Sequence, residues 1–366
     1  QYYSSVTSDV LGRMLIALGD GYASRGRSPQ SLDNAVTDAV FSVGARVHSP
    51  PDPHQNWFPQ DGSSVTVTRQ DAPPLVTVRP ADGSGADRTG DSAFGPSPYR
   101  NQELLLGTRV YTVPGLTVRT AAGRQPSRSD DARPGLRLDP LPRTPAVRKP
   151  TITGSCQAGD EVYLWAPHFR GTARLAGASA HGLTGRFRSD YPVTKIAAMQ
   201  RLGTVPASGR FRIDLSPHRT SLVPDGAVGC LDTARLHTAV ERLKATGATR
   251  VSVSDGTVRA EVPAGSVGTA VVAAPRIAGW RCAVGNDPAV PAQSFHGLIA
   301  VPLDGTETTV TCTFHPPGLR LGLVIGATAL TVLILLAAAG AVRRRRRAPY
   351  DDHPTPLTTT RPLTSV

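Results

Sequence analysis

GRFRIDLSPHRTSLVPDGAVGCLDTARLHTAVERLKATGATRVSVSDGTVRAEVP, residues 209–263, decides the reading of this chain. Its first segment alternates Phe211, Ile213 and Leu215 with Arg210, Arg212 and Asp214, the period of a half-buried strand. The pattern turns helical once. Asp232 stands where an N-cap belongs, Leu236, Val240 and Leu243 fall on one face, and Gly247 marks the stop. Alternation returns immediately in TRVSVSDG (249–256) and TVRAEVP (257–263). A chain with strand periodicity on both sides of one short helix is mainly β, with the helix as an interruption.

Working outward, the same grammar continues on both sides. Upstream lie EVYLWAP (161–167), GTARLAG (171–177), VTKIAAMQRL (193–202) and AVGCLD (227–232). Downstream lie GTAVVAAPR (268–276), GWRCAVG (279–285), FHGLIAVPL (295–303) and ETTVTCTFHPP (307–317). Short strands at close, regular spacing predict a β-sandwich over 149–317, jelly-roll-like, with one helix. Before it, residues 121–148 are poor in hydrophobics and rich in Pro and Arg, the composition of a linker. Residues 1–120 read as an α+β outer region. A helix is expected in 6–19, where Leu11, Met14, Leu15 and Leu18 recur at helical spacing, and a second in 35–48 running into a strand. Strand patterns follow at 63–69 and 74–80, an exposed loop at 80–97, and a short apolar helix or strand over Tyr99–Pro114.

The sandwich leads straight into LGLVIGATALTVLILLAAAGAV, residues 321–342, which holds no ionisable side chain. At ~1.5 Å per residue this run crosses the ~30 Å hydrocarbon core of a bilayer as a single C-terminal transmembrane helix. Arg343, Arg344, Arg345, Arg346 and Arg347 close it. Arginines beside a span stay cytoplasmic, so the expected arrangement is a cell-membrane protein with 1–319 outside and a basic tail, 343–366, inside. The chain opens at Gln1 with no charged n-region or apolar h-region, so export of 1–319 is expected to depend on something upstream.

Cysteine usage agrees with an outer location. Cys156, Cys230, Cys282 and Cys312 are even in number, dispersed, and free of CxxC or zinc-ligand spacing, which predicts disulfides. Four cysteines allow three connectivities; 156–230 and 282–312 are favoured because each pair lies within one stretch of strands. The net charge of +12 is almost entirely arginine, since only Lys149, Lys195 and Lys244 are lysines, a composition typical of high-GC bacteria. Such a surface suits a lipid bilayer, a cell-wall polymer or a glycolipid, and the arginine run beside an apolar helix reads as a membrane stop rather than a nucleic-acid patch.

Catalytic motifs are missing from the sequence. There is no phosphate loop, HExxH, nucleophile elbow or dinucleotide fingerprint, and no glycosylation sequon. His168, His218 and His315 adjoin proline or a turn, and Asp160 and Glu161, adjacent on a strand, point to opposite faces. No catalytic, cofactor or metal residue is therefore assigned. Trp165 and Trp280 are the candidates for carbohydrate contact, with core packing as the competing role.

The stretch GTAVVAAPRIAGWRCAVGNDPAVPAQSFHGLIAVPLDGTETTVTCTFHPPGLRL, residues 268–321, resembles the C-terminal sandwich and last span of YfhO-type bacterial membrane proteins. The matching positions are Pro275, Gly279, Trp280, Gly285, Phe295, Gly297, Val301, Pro302, Gly305, Phe314, Pro316, Pro317 and Gly318. Tyr3-Ser4-Ser5 and Val43-Gly44-Ala45-Arg46 resemble earlier family steps, and Thr233–Gly247 falls where the family has a helix. Asn101-Gln102-Glu103-Leu104 resembles an ENQ-like segment, although here the acid follows the Asn-Gln pair. The four cysteines are not part of the family pattern. The resemblance implies a GT-C-type glycosyltransferase with about a dozen upstream spans, an acidic residue in the first outer loop and a polyprenyl-phosphate sugar donor. This segment would then shape the acceptor site without catalysing transfer. The alternatives are a membrane-anchored carbohydrate- or wall-binding sandwich without enzyme activity, and a structural scaffold.

Overall fold

A computed structural model describes residues 9–22, 29–30, 34–48, 66–80, 94–129, 135–141, 148–177, 183–189 and 196–347. The Tyr3-Ser4-Ser5 step, the ends of the patterns expected at 6–19, 63–69 and 193–202, most of the 80–97 loop and the tail beyond 347 lie outside these residues. Contacts group the chain into a body, Gln1–Phe314, and a C-terminal unit, His315–Val366.

The body is mostly β-sheet with few helices, and among the described residues every strand pair is antiparallel. Four sheets make two sandwiches. Sheet I runs, in spatial order, Gln200–Thr204, Glu161–Leu164, Val228–Leu231 and Tyr111–Thr112. It faces sheet II: Thr184–Arg188, Arg170–Leu175, Arg210–Pro217, Thr151–Ser155 and Thr117–Arg119. Val162, Leu164, Leu202 and Val228 of the first interlock with Ile152, Ala173, Phe211, Ile213 and Leu215 of the second. In Arg210–Pro217 the apolar members are buried and the charged ones turn outward, as the period requires.

The second sandwich pairs sheet III with sheet IV. Sheet III runs Arg250–Ser254, Thr257–Glu261, Thr309–Phe314, Trp280–Val284 and Val290–Pro291. Sheet IV runs Gln293–Phe295, Leu298–Asp304, Val267–Pro275 and Val76–Arg79. Its last strand comes from the outer region, with Thr77 opposite Val271. The exposed edge of that strand is covered by the chain leaving the 233–245 helix: the Val78 amide donates to the Thr246 carbonyl and the Ala248 amide to the Val76 carbonyl.

Two features differ from the sequence-based expectation. The strands of 149–317 divide between two sandwiches instead of forming one, and both borrow strands from further upstream. The 121–148 stretch also contains a strand, Leu136–Leu138, paired with Ser221–Val223. Leu138 is buried in the first core, so two leucines suffice to anchor a segment whose average composition is that of a linker.

A third core lies between the sandwiches and is made by helices. These are α1 (Asp9–Ala17), α2 (Ala35–Val40), α3 (Pro98–Leu106) and α4 (Thr233–Ala245). Met14 of α1 and Leu18 just after it, Val36 and Val40 of α2, Leu105 of α3 and Leu236, Val240 and Leu243 of α4 meet Tyr163 from sheet I and Val271 and Leu298 from sheet IV. Sheet I is therefore covered on both faces, which is why Val228–Leu231 is buried at every position. Two of the capping signals act as the sequence predicts, whereas the end of α4 is capped by Thr246 and Gly247 is not left-handed, its missing Cβ instead making room for Pro74. The Asp232 carboxylate accepts the Arg235 amide at the start of α4, and α1 ends in a turn at Gly19 with φ of 97°.

Both disulfides form in the favoured pairing. Cys156–Cys230 ties the end of a sheet II strand to the middle of sheet I, with Cα atoms 6.4 Å apart. Cys282–Cys312 links directly opposed residues of neighbouring sheet III strands, 4.0 Å apart at Cα.

In the C-terminal unit, α5 (Leu319–Arg347) includes Leu321–Arg344, long and apolar enough to cross a membrane. Its described side chains from Leu321 to Val342 are exposed all round, the mark of a helix whose solvent is lipid. Its two threonines return their hydroxyl protons to the preceding turn, Thr328 to the Val324 carbonyl and Thr331 to Ala327. No polar group of the apolar run thus needs water.

Candidate functional site

The central core is apolar at its edges and polar at its heart. Helix α3 supplies the polar groups. Ser97 precedes it, Pro98 occupies its first turn, and Gly107 ends it in the left-handed region at φ 76°, donating to the Glu103 carbonyl. Within it, Asn101, Gln102 and Glu103 are all buried.

Each of these three side chains ties a different element. Asn101 Nδ2 donates to the Ala17 carbonyl at the end of α1 (2.8 Å) and to Gly95 (2.9 Å). Gln102 Nε2 donates to the Leu18 carbonyl at 2.7 Å and its Oε1 accepts the Tyr111 hydroxyl at 2.7 Å. That hydroxyl accepts from Asn34 Nδ2 at 2.9 Å, while Asn34 Oδ1 caps α2 through the Val36 and Thr37 amides. Glu103 Oε1 accepts the amides of Val110 (2.8 Å) and Tyr111 (2.7 Å), and Oε2 pairs with Arg100 at 2.5 Å and Arg109 at 3.4 Å. Tyr99 completes the set. Its hydroxyl reaches the Ala227 carbonyl at 2.8 Å, and its ring lies so close to Gly229 that a Cβ there would stand 2.5 Å from it. Burial pushes the Tyr99, Tyr111 and Tyr163 hydroxyls above the usual tyrosine range, so all three remain neutral donors.

Around the outer side of α3 opens a cavity of about 400 Å³, bounded also by α4 and sheet IV. Arg79, Arg100, Arg109 and Arg242 line it with His296, and Glu103 is its one acid among the described residues. Leu104, Leu243 and Phe295 make an apolar wall. Arg79 is 9% exposed; its Nη1 donates to the Leu106 carbonyl at the end of α3 (2.7 Å), while its Nε has no partner. Burial lowers its pKa to about 10.

Sequence reasoning placed the family-like Asn-Gln-Glu segment but not its role, and it missed Arg79, whose strand reads as an ordinary VTVR. The signal available was three consecutive polar residues beside a run of leucines in α3, a pattern that costs stability unless each polar group is bonded. Trp165 and Trp280 are not brought together. Trp165 is half-buried against the central core, and Trp280 against the second sandwich, stacked on Phe314 with ring centroids 5.4 Å apart. Neither lines the cavity. His168, His218 and His315 share no cluster. Asp71, His237 and Glu241 approach one another on the surface, but the Lys244 ammonium lies against both carboxylates and supplies the positive charge a cation would bring.

Residues 198–326 match the family described as bacterial membrane protein YfhO. No curated protein and no solved structure matches the chain. The matched segment is not a structural unit: it begins inside the first sandwich, takes in α4 and nearly all of the second, and ends within α5. The match to that family thus covers about a third of the chain, the part in which the second sandwich leads into a membrane-length helix.

Proposed function

We propose that residues 1–319 form the extracytoplasmic part of a membrane glycosyltransferase that moves sugar from a polyprenyl-phosphate donor to a cell-envelope polymer or lipid. In this reading the two sandwiches shape the acceptor side and supply no catalytic base. One observation carries the placement: a body with two disulfides precedes a membrane-length helix that ends in five arginines. Disulfides persist in oxidising compartments, and arginines hold the cytoplasmic flank, so both features support an outer location for the body. The sugar-transfer chemistry is supported by the family resemblance. The non-catalytic role is supported by Glu103, the acid at the cavity, which is saturated by two amides and two arginines and has no free lone pair for a substrate proton.

Thiol labelling and a transfer assay test the two halves. An impermeant maleimide is expected to label an Arg242→Cys variant, on the exposed face of α4, in intact cells, while a Thr358→Cys tail is labelled only after lysis. The opposite pattern would reverse the topology. Membranes holding this chain alone are expected to transfer no sugar from a polyprenyl-phosphate donor; transfer would defeat the non-catalytic role.

A further inference from the structure

Among the described residues, four arginines line the cavity beside α3 against one carboxylate, an excess of three positive charges. Glu103 is committed to Arg100 and Arg109. Neither Arg79 nor Arg242 has an acidic partner among the described residues. For Arg242, on the exposed face of α4, that is unremarkable. For Arg79 it is costly, because a guanidinium stays charged and a buried charge without a counter-ion bears the desolvation penalty uncompensated.

The end of α3 offers partial relief. The Leu106 carbonyl and the helix dipole together supply about half a negative charge, and they engage one of the guanidinium nitrogens. Gly107 is required there by its φ of 76°; a Cβ at that position would only touch Arg79 Nη1 at 3.5 Å, an ordinary contact. Nε is buried, with no hydrogen-bond partner among the described residues. A structural C-cap alone would not need the arginines of α3 and α4 around the same space.

We propose that this cavity binds a phosphate group. Arginine forks match phosphate oxygens in pairs, and an excess of three charges suits a dianion better than a single carboxylate. About 400 Å³ exceeds one phosphate, and the wall of Leu104, Leu243 and Phe295 accommodates a compact organic body attached to it. The ligand class is therefore a phosphate monoester, drawn from solution or from the headgroup of an anionic lipid. The inference is independent of sugar transfer and stands if that reading fails.

Titration calorimetry on the full chain in detergent tests it, with inorganic phosphate, glycerol 3-phosphate and nanodisc-borne phosphatidic acid as probes and chloride at matched ionic strength as control. At least one phosphate probe is expected to bind saturably, where chloride does not. Binding of the two soluble probes identifies a solution ligand; binding of phosphatidic acid alone identifies a lipid headgroup. Arg242→Ala is expected to weaken binding about tenfold, the value of one charge-assisted hydrogen bond, with the thermal midpoint of the unliganded protein unchanged. Arg79→Gln is expected to abolish it, and Arg109→Ala provides a second rim variant if Arg79→Gln fails to fold. No saturable binding by any phosphate probe up to about 10 mM, or the same affinity in Arg242→Ala and Arg109→Ala as in the parent, overturns the proposal.

Discussion

Removing each disulfide in turn tests how the two sandwiches are held. The perturbation is a pair of double variants, Cys156→Ala/Cys230→Ala and Cys282→Ala/Cys312→Ala. The first bond closes a loop of sequence separation 74 and the second one of 30. The chain-entropy relation gives about 4.4 kcal/mol for the first and about 3.6 kcal/mol for the second at 25 °C. Their placement widens the gap. Cys156–Cys230 joins the two sheets of one sandwich, whereas Cys282–Cys312 joins strands already paired through Trp280–Val284 and Thr309–Phe314. The assay is urea unfolding of the detergent-solubilised chain by tryptophan fluorescence, with Trp165 against the central core and Trp280 in the second sandwich. The first variant is expected to lose about 4 kcal/mol and the second somewhat less. A loss below about 1 kcal/mol for the 156–230 pair, or a larger loss for the 282–312 pair, would refute the reasoning.

Two other outcomes follow from burial. Asp20 is 7% exposed with an unpartnered Oδ1, and burial raises its pKa from 3.8 to about 8. The folded state therefore keeps a proton that the unfolded chain releases, and stability falls as pH climbs from about 4 to about 8. Asp20→Asn, which does not titrate, is expected to raise the melting temperature more at pH 8.5 than at pH 5; an increment independent of pH would show that desolvation of Asp20 is not the cause. Trp280→Ala should cost roughly 2–3 kcal/mol, below the usual 3–5 for a fully buried ring because its indole is half-exposed. Unchanged urea stability would instead return Trp280 to the role of a sugar platform.

Local signals made much of this protein legible. The Asp232 cap and the Leu236, Val240 and Leu243 stripe placed α4, the alternation at Phe211, Ile213 and Leu215 placed its strand, and the apolar run before Arg343 placed the membrane helix. These features are written within a few residues of one another. What escaped was written between distant residues. Leu136–Leu138 and Thr117–Arg119 are three-residue strands whose only justification is a partner far along the chain. Arg79 and Glu103 look like surface charges in sequence, because nothing nearby tells that Leu106 and the amides of Val110 and Tyr111 will close over them. The candidate site was visible as a family-like segment and invisible as a cavity for the same reason.

The strand Val76–Arg79 has a consequence for the order in which this protein acquires its shape. Its partner in the ladder, Val267–Pro275, is made nearly two hundred residues later, since Thr77 pairs with Val271. During synthesis the earlier strand must wait, with its hydrogen-bonding edges open, until its partner has been made. Contacts so far apart in sequence form slowly, and an unpaired strand is an invitation to the wrong neighbour. A nascent chain halted between these two strands would be the species that chaperones and proteases meet. The segment 198–326, produced by itself, would be missing one staff of its own sheet.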